Sequence, residues 1–209
     1  MVGDPIMVAI IDYDAGNIKS VEKAIQFLGE EAIITRNPDE ILSASHVILP
    51  GVGAFGDAME KLHKYGLISV IHEVVKRQIP FLGICLGLQL FFERSEETPG
   101  VEGLGILKGE IKRIPAGEDL KIPHIGWNAL SFKGEKSPIF KYLNENDCVY
   151  FVHSYYGVDC AESTIATCEY GIEVTAAVQK GNVFGCQFHP EKSSKAGLKI
   201  LKNFTNLEI

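Results

Sequence analysis

The chain has 209 residues, of which 46% are hydrophobic and 22% charged, and its formal net charge is −7. This length and composition are typical of one globular domain with a substantial core, and they exclude a disordered or fibrous chain. The negative charge argues against nucleic acid as a partner, because phosphate binding depends on clustered Lys and Arg. No stretch reaches the roughly 20 consecutive apolar residues of a membrane-spanning helix.

The first half of the sequence alternates predicted strands and helices. Short apolar runs indicate buried strands at residues 7–11, 32–34, 47–49 and 79–84. Apolar residues at helical spacing predict a helix over 18–28 that ends near Gly29, helical stripes over 59–75 that break at Gly66, and a helix from Leu86 to Arg94. Alternation of this kind indicates a mostly parallel sheet with right-handed crossovers.

The second half has a different pattern, with short strands and no long helix between them. After about residue 98, strands are predicted at 110–114, 148–152, 163–168, 174–179 and 183–188. Lys180-Gly181-Asn182 predicts a hairpin turn between the last two strands, and a final helix is predicted over roughly 194–205. We therefore predict one α/β domain over residues 1–209, with a mostly parallel central sheet flanked by helices and an antiparallel β extension.

The cysteines and the first residues indicate the compartment. The five cysteines are odd in number and none are spaced C-x-x-C, so neither a zinc site nor a disulfide framework is expected. Residues 1–5 lack the basic and apolar regions of a signal peptide, and Met7 is an alternative start to Met1. The sequence predicts a cytoplasmic protein with reduced thiols, most of them small core residues. The cysteines are Cys85, Cys148, Cys160, Cys168 and Cys186.

Gly83-Ile84-Cys85-Leu86-Gly87 lies between the fourth predicted strand and the helix that follows it. A small residue two before and two after a nucleophile is the sequence form of a nucleophile elbow, here with Cys in place of Ser. The glycines permit a sharp and strained turn, and the start of a helix favours the thiolate. The segment predicts a nucleophile at Cys85, provided that a base and an orienting acid lie elsewhere in the chain.

Candidate partners for Cys85 lie in Phe188-His189-Pro190-Glu191, after the last predicted strand. Residues two apart on an extended segment point to the same face. Glu191 is therefore placed to orient the imidazole of His189 while His189 accepts the thiol proton, the general arrangement for covalent catalysis. A lone His-Pro pair is more often a surface turn, and only its combination with the elbow favours catalysis.

The glycine-rich segment Pro50-Gly51-Val52-Gly53-Ala54-Phe55-Gly56 has two functional interpretations. Its glycines form the dinucleotide pattern G-x-G-x-x-G, and Glu73 lies about 20 residues further on, where a ribose-binding acid is expected. However, the motif follows the third strand and not the first, and Glu73 falls within a helical stripe. A turn that presents backbone amides to a developing oxyanion, with the Leu86 amide as second donor, fits better. A plain strand–helix turn is the remaining alternative.

Two further segments, residues 123–128 and 150–156, are rich in histidine and aromatic residues. They include Trp127, the only Trp of the chain, and such side chains are either amphipathic core residues or interface anchors, with core the first expectation. His124 and His153 have no third ligand at a suitable spacing. We therefore predict that they are structural histidines and that the chain holds no metal.

Together these motifs resemble those of class I glutamine amidotransferases and, more narrowly, of the glutaminase subunits of imidazole glycerol phosphate synthase in histidine biosynthesis. The class is indicated by residues 83–89 together with 188–191, and the narrower family by residues 50–56, 123–128 and 151–155. The resemblance extends from residue 14 to residue 194.

The resemblance implies a reaction that uses no cofactor. Cys85 attacks the side-chain carboxamide of glutamine, ammonia leaves, and water hydrolyses the γ-glutamyl thioester. Gln89, Ser154 and Tyr155 hold the glutamine, with backbone near Gly51 and Val52.

The resemblance also implies a partner and a gate. The family forms heterodimers with a (β/α)₈-barrel cyclase, which receives the ammonia through a channel and makes imidazole glycerol phosphate and an aminoimidazole carboxamide ribotide. The Gly51–Val52 peptide is expected to reorient before its amide faces the oxyanion, so activity without the partner is expected to be low. An amidotransferase subunit for anthranilate, aminodeoxychorismate or pyridoxal phosphate synthesis is the alternative. The positions that match the partner interface are Asn17, Trp127, Tyr150 and Lys192, and this match weakens the expectation that Trp127 is a core residue.

Overall fold

The computed structural model describes residues 6–115, 117 and 120–208. The segment 1–5, on which the signal-peptide prediction rests, lies outside the described residues. The strands are β1 Met7–Ile11, β2 Glu31–Thr35, β3 His46–Leu49, β4 Phe81–Ile84, β5 Arg94–Ser95, β6 Glu110–Arg113, β7 His124–Ala129, β8 Ser131–Phe132, β9 Cys148–His153, β10 Tyr155–Val158, β11 Thr164–Glu169, β12 Glu173–Lys180 and β13 Val183–Cys186. The α-helices are α1 Ile18–Phe27, α2 Pro38–Ser43, α3 Phe55–Lys64, α4 Leu67–Lys76, α5 Leu86–Gln89 and α6 Ser194–Thr205.

Eight strands form the central sheet, in the order β2-β1-β3-β4-β13-β12-β11-β8. The strands from β2 to β13 in this order pair in parallel, and those from β13 to β8 pair antiparallel. The predicted hairpin joins β12 to β13 at Gly181, whose φ is +57°. The predicted α/β fold, mostly parallel with an antiparallel extension, is confirmed.

Helices cover both faces of the parallel strands, which explains why the central residues of those strands are apolar on both faces. Successive residues of β1 point to opposite faces: Ala9 and Ile11 join one core cluster, and Val8 and Ile10 join the other. The first cluster includes the buried faces of α3 and α4, and the second those of α1 and α6. None of the helices within the described ranges has the length and apolar character needed to cross a membrane.

Two small sheets lie beside the central one, in the strand orders β10-β6-β5 and β7-β9. The sequence did not predict β7, which pairs antiparallel with β9 so that His124 faces His153 and Trp127 faces Tyr150. This pairing brings together the two segments rich in histidine and aromatic residues. The short helix α2, which Asn37 caps by accepting a hydrogen bond from the Asp39 amide at 3.0 Å, was also not predicted.

The helix predicted from Leu86 to Arg94 is wrong over its second half, because α5 ends at Gln89. Leu90, Phe91 and Phe92 are fully buried in a turn that follows it. Amides of residues 103–107 donate to the carbonyls of residues 90–93. The backbone that directly follows α5 therefore pairs with a later segment and does not continue the helix. Arg94 lies in β5 and forms an ion pair with Glu110 at 2.8 Å.

Candidate active site

Cys85 lies in a sharp turn between β4 and α5. Its φ of 54° and ψ of −108° are strained for a residue other than glycine. A Cβ on Gly83 would lie 2.7 Å from the Leu88 amide nitrogen, and a Cβ on Gly87 would lie 1.9 Å from the Leu49 carbonyl oxygen. The elbow therefore depends on glycine at both positions, because neighbouring backbone passes too close for any side chain.

Gly87→Ala is expected to lower the free energy of unfolding by about 2 kcal/mol or more, since the new methyl group would overlap the Leu49 carbonyl in a packed core. Denaturant unfolding measures this change. The matched control is Gly117→Ala, whose added Cβ would meet Leu120 Cβ at an ordinary 3.4 Å. Equal stability of the two variants would contradict the close approach at the elbow.

His189 and Glu191 follow β13, which pairs in parallel with β4, and the structure brings both near Cys85. His189 Nδ1 lies 2.8 Å from Glu191 Oε1, and both side chains are buried. The extended geometry that the sequence predicted is wrong in detail, because Pro190–Lys192 forms a 3₁₀ turn. This turn, rather than strand periodicity, places the carboxylate beside the imidazole.

The electrostatic environment favours a protonated His189. Burial opposes the charge, but the neighbouring Cys85 and the hydrogen-bonded carboxylate of Glu191 outweigh it and raise the pKa of His189 to about 9. Its Nε2 is buried and forms no hydrogen bond within the described part of the chain. At neutral pH His189 therefore carries a positive charge beside Cys85.

Asn17 contacts the acid of this group. It has a left-handed conformation, with φ of 67°, at the start of α1, and its side chain does not cap the helix. Instead, Asn17 Nδ2 donates to Glu191 Oε1 at 2.5 Å, the same oxygen that faces His189. The sequence placed Asn17 at the partner interface and gave no sign of this contact.

The glycine-rich segment lies against the elbow, but the carbonyl of Gly51 points to the position where the resemblance expects the amide of Val52. The Leu86 amide donates to the Gly51 carbonyl oxygen at 3.3 Å. The Val52 amide makes no hydrogen bond among the described residues, and the Val52 side chain is 40% exposed. One of the two amides expected to bind an oxyanion is therefore occupied, and the Gly51–Val52 peptide faces the wrong way for the other.

A cavity of about 300 Å³ opens beside the Cys85 sulfur. It brings together Cys85 and His189 with all three residues that the sequence assigned to glutamine binding, and also Glu97, which the sequence did not single out. Three larger clefts, of about 620, 540 and 370 Å³, lie elsewhere on the described part of the chain, and Cys85 lines none of them. The lining of the smaller cavity is Val52, Gly53, Cys85, Leu86, Gln89, Glu97, Val152, His153, Ser154, Tyr155, His189 and Lys192.

The dinucleotide interpretation of the glycine-rich segment conflicts with the structure. Pyrophosphate binds such motifs at the start of the following helix. Here the Phe55 amide donates to Glu97 Oε2 at 2.8 Å and the Gly56 amide to Thr98 Oγ1 at 3.2 Å, so a carboxylate already occupies the start of α3. Glu73 forms an ion pair with Arg77 on the surface of α4, away from this position.

His124 and His153 are buried and contact each other, with their facing nitrogens 3.0 Å apart. The outer nitrogens lie 2.8 Å from Asn128 Oδ1 and 2.8 Å from the Tyr155 carbonyl oxygen. Burial lowers the pKa of His153 to about 4 and also lowers that of His124, which favours the neutral rings. Across the described residues, no group of three or more His, Cys, Asp and Glu is placed to hold a metal ion.

Trp127 is 52% exposed, and its ring lies 5.8 Å from that of Tyr150. Ile125, on the same face of β7, is 57% exposed. The backbone of Tyr150 is joined to the segment that carries His189, since the His189 amide donates to the Tyr150 carbonyl at 3.0 Å and the Tyr150 amide donates to Ser193 Oγ at 2.9 Å. A backbone hydrogen bond thus links Tyr150, at this exposed apolar face, directly to His189, the candidate base.

An elbow cysteine on a parallel sheet, near a buried His–Glu pair, is an arrangement typical of enzymes that use a nucleophile, a base and an orienting acid. The family model for glutamine amidotransferase class-I matches residues 9–207, so fold and sequence together define a class I glutamine amidotransferase. Imidazole glycerol phosphate synthase subunit HisH of Moorella thermoacetica is 52% identical over 201 residues, covering 96% of this chain and 94% of that protein. The chain belongs to this HisH family.

Other comparisons agree. Imidazole glycerol phosphate synthase subunit HisH of Bacillus cereus is 52% identical over 199 residues, covering 95% of this chain and 93% of that protein. A crystal structure of a glutamine amidotransferase superposes with a TM-score of 0.73 at 19% identity, over 94% of this chain and 96% of that one. A structure of PurLQS from Thermotoga maritima superposes with a TM-score of 0.72 at 20% sequence identity, over 97% of this chain and 98% of that one. The structural neighbours show the fold, and the relatives confirm the predicted enzyme class.

Proposed function

We propose that this chain hydrolyses glutamine at Cys85, as the glutaminase subunit of imidazole glycerol phosphate synthase in histidine biosynthesis. The observation that carries the proposal is the His189 Nδ1–Glu191 Oε1 contact of 2.8 Å, buried beside a cysteine in a strained elbow. A nucleophile, a base and an orienting acid are the three parts that covalent hydrolysis needs. Family membership supplies the substrate and the pathway.

The residues act in sequence on the substrate amide. The Cys85 thiolate attacks the carboxamide carbon, and the carbonyl oxygen becomes an oxyanion. The His189 imidazolium gives its Nε2 proton to the departing nitrogen, which leaves as ammonia, and a thioester remains. Neutral His189 then takes a proton from water, and the hydroxide attacks the thioester and releases glutamate and the thiolate. Glu191 stabilises the imidazolium at each charged stage.

The cavity lining fits a free amino acid. Apart from the triad, its charged residues are one acid, Glu97, and one base, Lys192, and a zwitterionic ligand needs charges of both signs nearby. The Gln89 side chain is less available than the resemblance implies. Its Nε2 already donates to the Tyr155 carbonyl at 3.0 Å and to Gln187 Oε1 at 3.1 Å, so only its oxygen is left for substrate.

The position of Gly51 supports a gated site. An oxyanion needs two donors, and the Leu86 amide is held by the Gly51 carbonyl at 3.3 Å. Rotating the Gly51–Val52 peptide frees that amide and adds the amide of Val52. We propose that binding of a (β/α)₈-barrel cyclase against Trp127, Tyr150 and the neighbouring Asn17 and Lys192 favours the rotated peptide, and that the ammonia passes directly to this partner.

Addition of the cyclase subunit and its nucleotide ligand is expected to raise glutamate release by at least roughly 10²- to 10³-fold, the effect of one oxyanion-hole donor, because the rotated peptide makes two donors available. Glutamate is measured enzymatically for the free chain and for the complex. Equal rates with and without the partner would contradict the gate, although not the triad chemistry.

The same assay tests the exposed aromatic face. Trp127→Ala is expected to weaken partner binding and to raise the cyclase concentration needed for half-maximal stimulation, because Trp side chains dominate such interfaces. Phe27→Ala is the matched control: Phe27 is 76% exposed but lies at the far end of α1 from Asn17. If the two variants respond equally, the interface lies elsewhere.

A further inference from the structure

We propose that the buried side chain of Gln187 donates a hydrogen bond to the Cys85 thiolate, and that Gln89 fixes the orientation in which it does so. This role deepens the proposed function and rests on Cys85 being its nucleophile. Gln187 follows β13, two residues before His189, and its side chain is fully buried. Its Nε2 lies 3.8 Å from Cys85 Sγ.

The orientation of both amides follows from one backbone carbonyl. The Tyr155 carbonyl oxygen only accepts, so the Gln89 atom that lies 3.0 Å from it is the nitrogen. That same nitrogen lies 3.1 Å from the Gln187 side chain, which must present its oxygen there, because two amide nitrogens would repel each other. The NH₂ end of Gln187 is therefore left facing the sulfur, and Gln89 acts as a positioning residue.

The contacts of the sulfur differ between its two protonation states. As a thiol, Cys85 has an acceptor for its proton in the Val152 carbonyl oxygen at 4.0 Å. As a thiolate it has no proton to share with that carbonyl, and the N–H of Gln187 becomes its neutral donor. Cys85 is only 7% exposed, so water solvates the anion poorly. A donor aimed at the charged form favours that form.

The other titratable groups near the sulfur do not replace this donor. Tyr13 donates its hydroxyl proton to the Pro50 carbonyl at 2.7 Å, and both His153 nitrogens are engaged by His124 and the Tyr155 carbonyl. His189 and Lys192 supply positive charge at this cavity, and Gln187 supplies a hydrogen bond that does not depend on its own protonation. The titratable groups packed around Cys85 are Tyr13 near β1, His153 on β9, Cys186 on β13, and His189 and Glu191 at the 3₁₀ turn, and Glu97, Tyr155 and Lys192 line the same cavity.

The test measures thiolate formation without turnover. The full chain is treated with iodoacetamide over a range of pH, and alkylation is read by mass spectrometry at each cysteine. Gln187→Met, which removes the donor and keeps the shape, is expected to shift the midpoint at Cys85 upward by about one pH unit, and to slow alkylation about tenfold below both midpoints. Gln187→Glu is expected to raise the midpoint at Cys85 further, since the new carboxylate places an acceptor beside the sulfur. Gln89→Met is expected to shift the midpoint in the same direction.

The other four cysteines of the chain serve as internal controls in this experiment. Exposed Cys148 gives a reference rate in every variant, and buried Cys160, Cys168 and Cys186 become reactive only if the fold is lost. Gln179→Met, at a half-buried position on β12, should leave the Cys85 midpoint unchanged. If Gln187→Met exposes the buried cysteines, Gln187→Glu and Gln89→Met decide by the same readout.

The outcomes separate this inference from the function on which it rests. A wild-type midpoint at Cys85 equal to that at Cys148 would show that the elbow thiol is not activated, which counts against the proposed function. An activated wild-type thiol whose midpoint is unchanged in folded Gln187→Met overturns the role of Gln187 alone. An upward shift in Gln187→Met with no shift in Gln89→Met supports the donor and overturns its positioning by Gln89.

Discussion

Cys85→Ala is expected to reduce glutamate release by the complex by roughly 10⁴-fold or more, because covalent catalysis is lost with the sulfur. The fold should persist, since the substitution removes one atom from a side chain packed at the elbow and leaves the glycines around it in place. Glutamine should still bind, because the other residues that line the cavity are unchanged. Steady-state assays with saturating partner measure the loss.

The chain provides a matched control for this variant in Cys148. This thiol is exposed at the start of β9 and does not line the cavity, so Cys148→Ala should retain full turnover. If Cys85→Ala kept a tenth of the wild-type rate, the thioester route would be wrong, and a direct attack by water activated at His189 would have to replace it.

The parts of the fold and site that the sequence predicted are those fixed by local patterns. The strand, elbow and helix around Cys85 follow from an apolar run and two spaced glycines, and the structure shows why neither glycine tolerates a side chain. The final helix, α6, has the predicted bounds because its apolar spacing and its ends both lie within one segment.

The parts that the sequence missed depend on contacts between distant residues. The helix after Cys85 ends early, and amides from residues 103–107 bind the carbonyls of residues 90–93 that follow it. Strand β7 forms because β9, more than 20 residues later, offers it a partner. No local pattern contains either contact.

The same distinction holds within the site. His189 and Glu191 were found from their spacing, although the reason given for their pairing, an extended backbone, was wrong. The Asn17–Glu191 contact and the Gln89–Gln187–Cys85 chain join residues far apart in sequence. The one sequence signal for Gln187 is a polar residue that directly follows a fully buried strand.

Glu191→Gln is expected to lower turnover by roughly 10²-fold while leaving the KM for glutamine nearly unchanged. The substitution separates charge from orientation. Oε1 of Glu191 accepts from both Asn17 and His189, whereas Oε2 is buried without a partner among the described residues. A glutamine amide can keep its oxygen in the first position and put its nitrogen in the second, so the His189 tautomer is retained and the negative charge is lost.

The pH dependence of kcat/KM shows in which direction Glu191 shifts the pKa of His189. The pKa of His189 is raised to about 9, in part by Glu191, so the imidazolium that protonates departing ammonia persists at neutral pH and is lost as the pH rises through about 9. Because this pKa lies above the ordinary value of 6.5, the ion pair stabilises the fold fully below pH 6.5, and that stability is lost towards pH 9. In Glu191→Gln the alkaline limb of kcat/KM should move to lower pH.

Glu191→Ala completes the comparison, because it removes the acceptor as well as the charge. Its turnover is expected to fall further, by roughly 10³- to 10⁴-fold, since the imidazole then loses its fixed tautomer. Glu73→Gln, which breaks a surface ion pair with Arg77 on α4, should change neither turnover nor the alkaline limb. Equal losses in Glu191→Gln and Glu191→Ala would show that charge alone matters. A loss confined to Glu191→Ala would show that Glu191 acts by orienting His189.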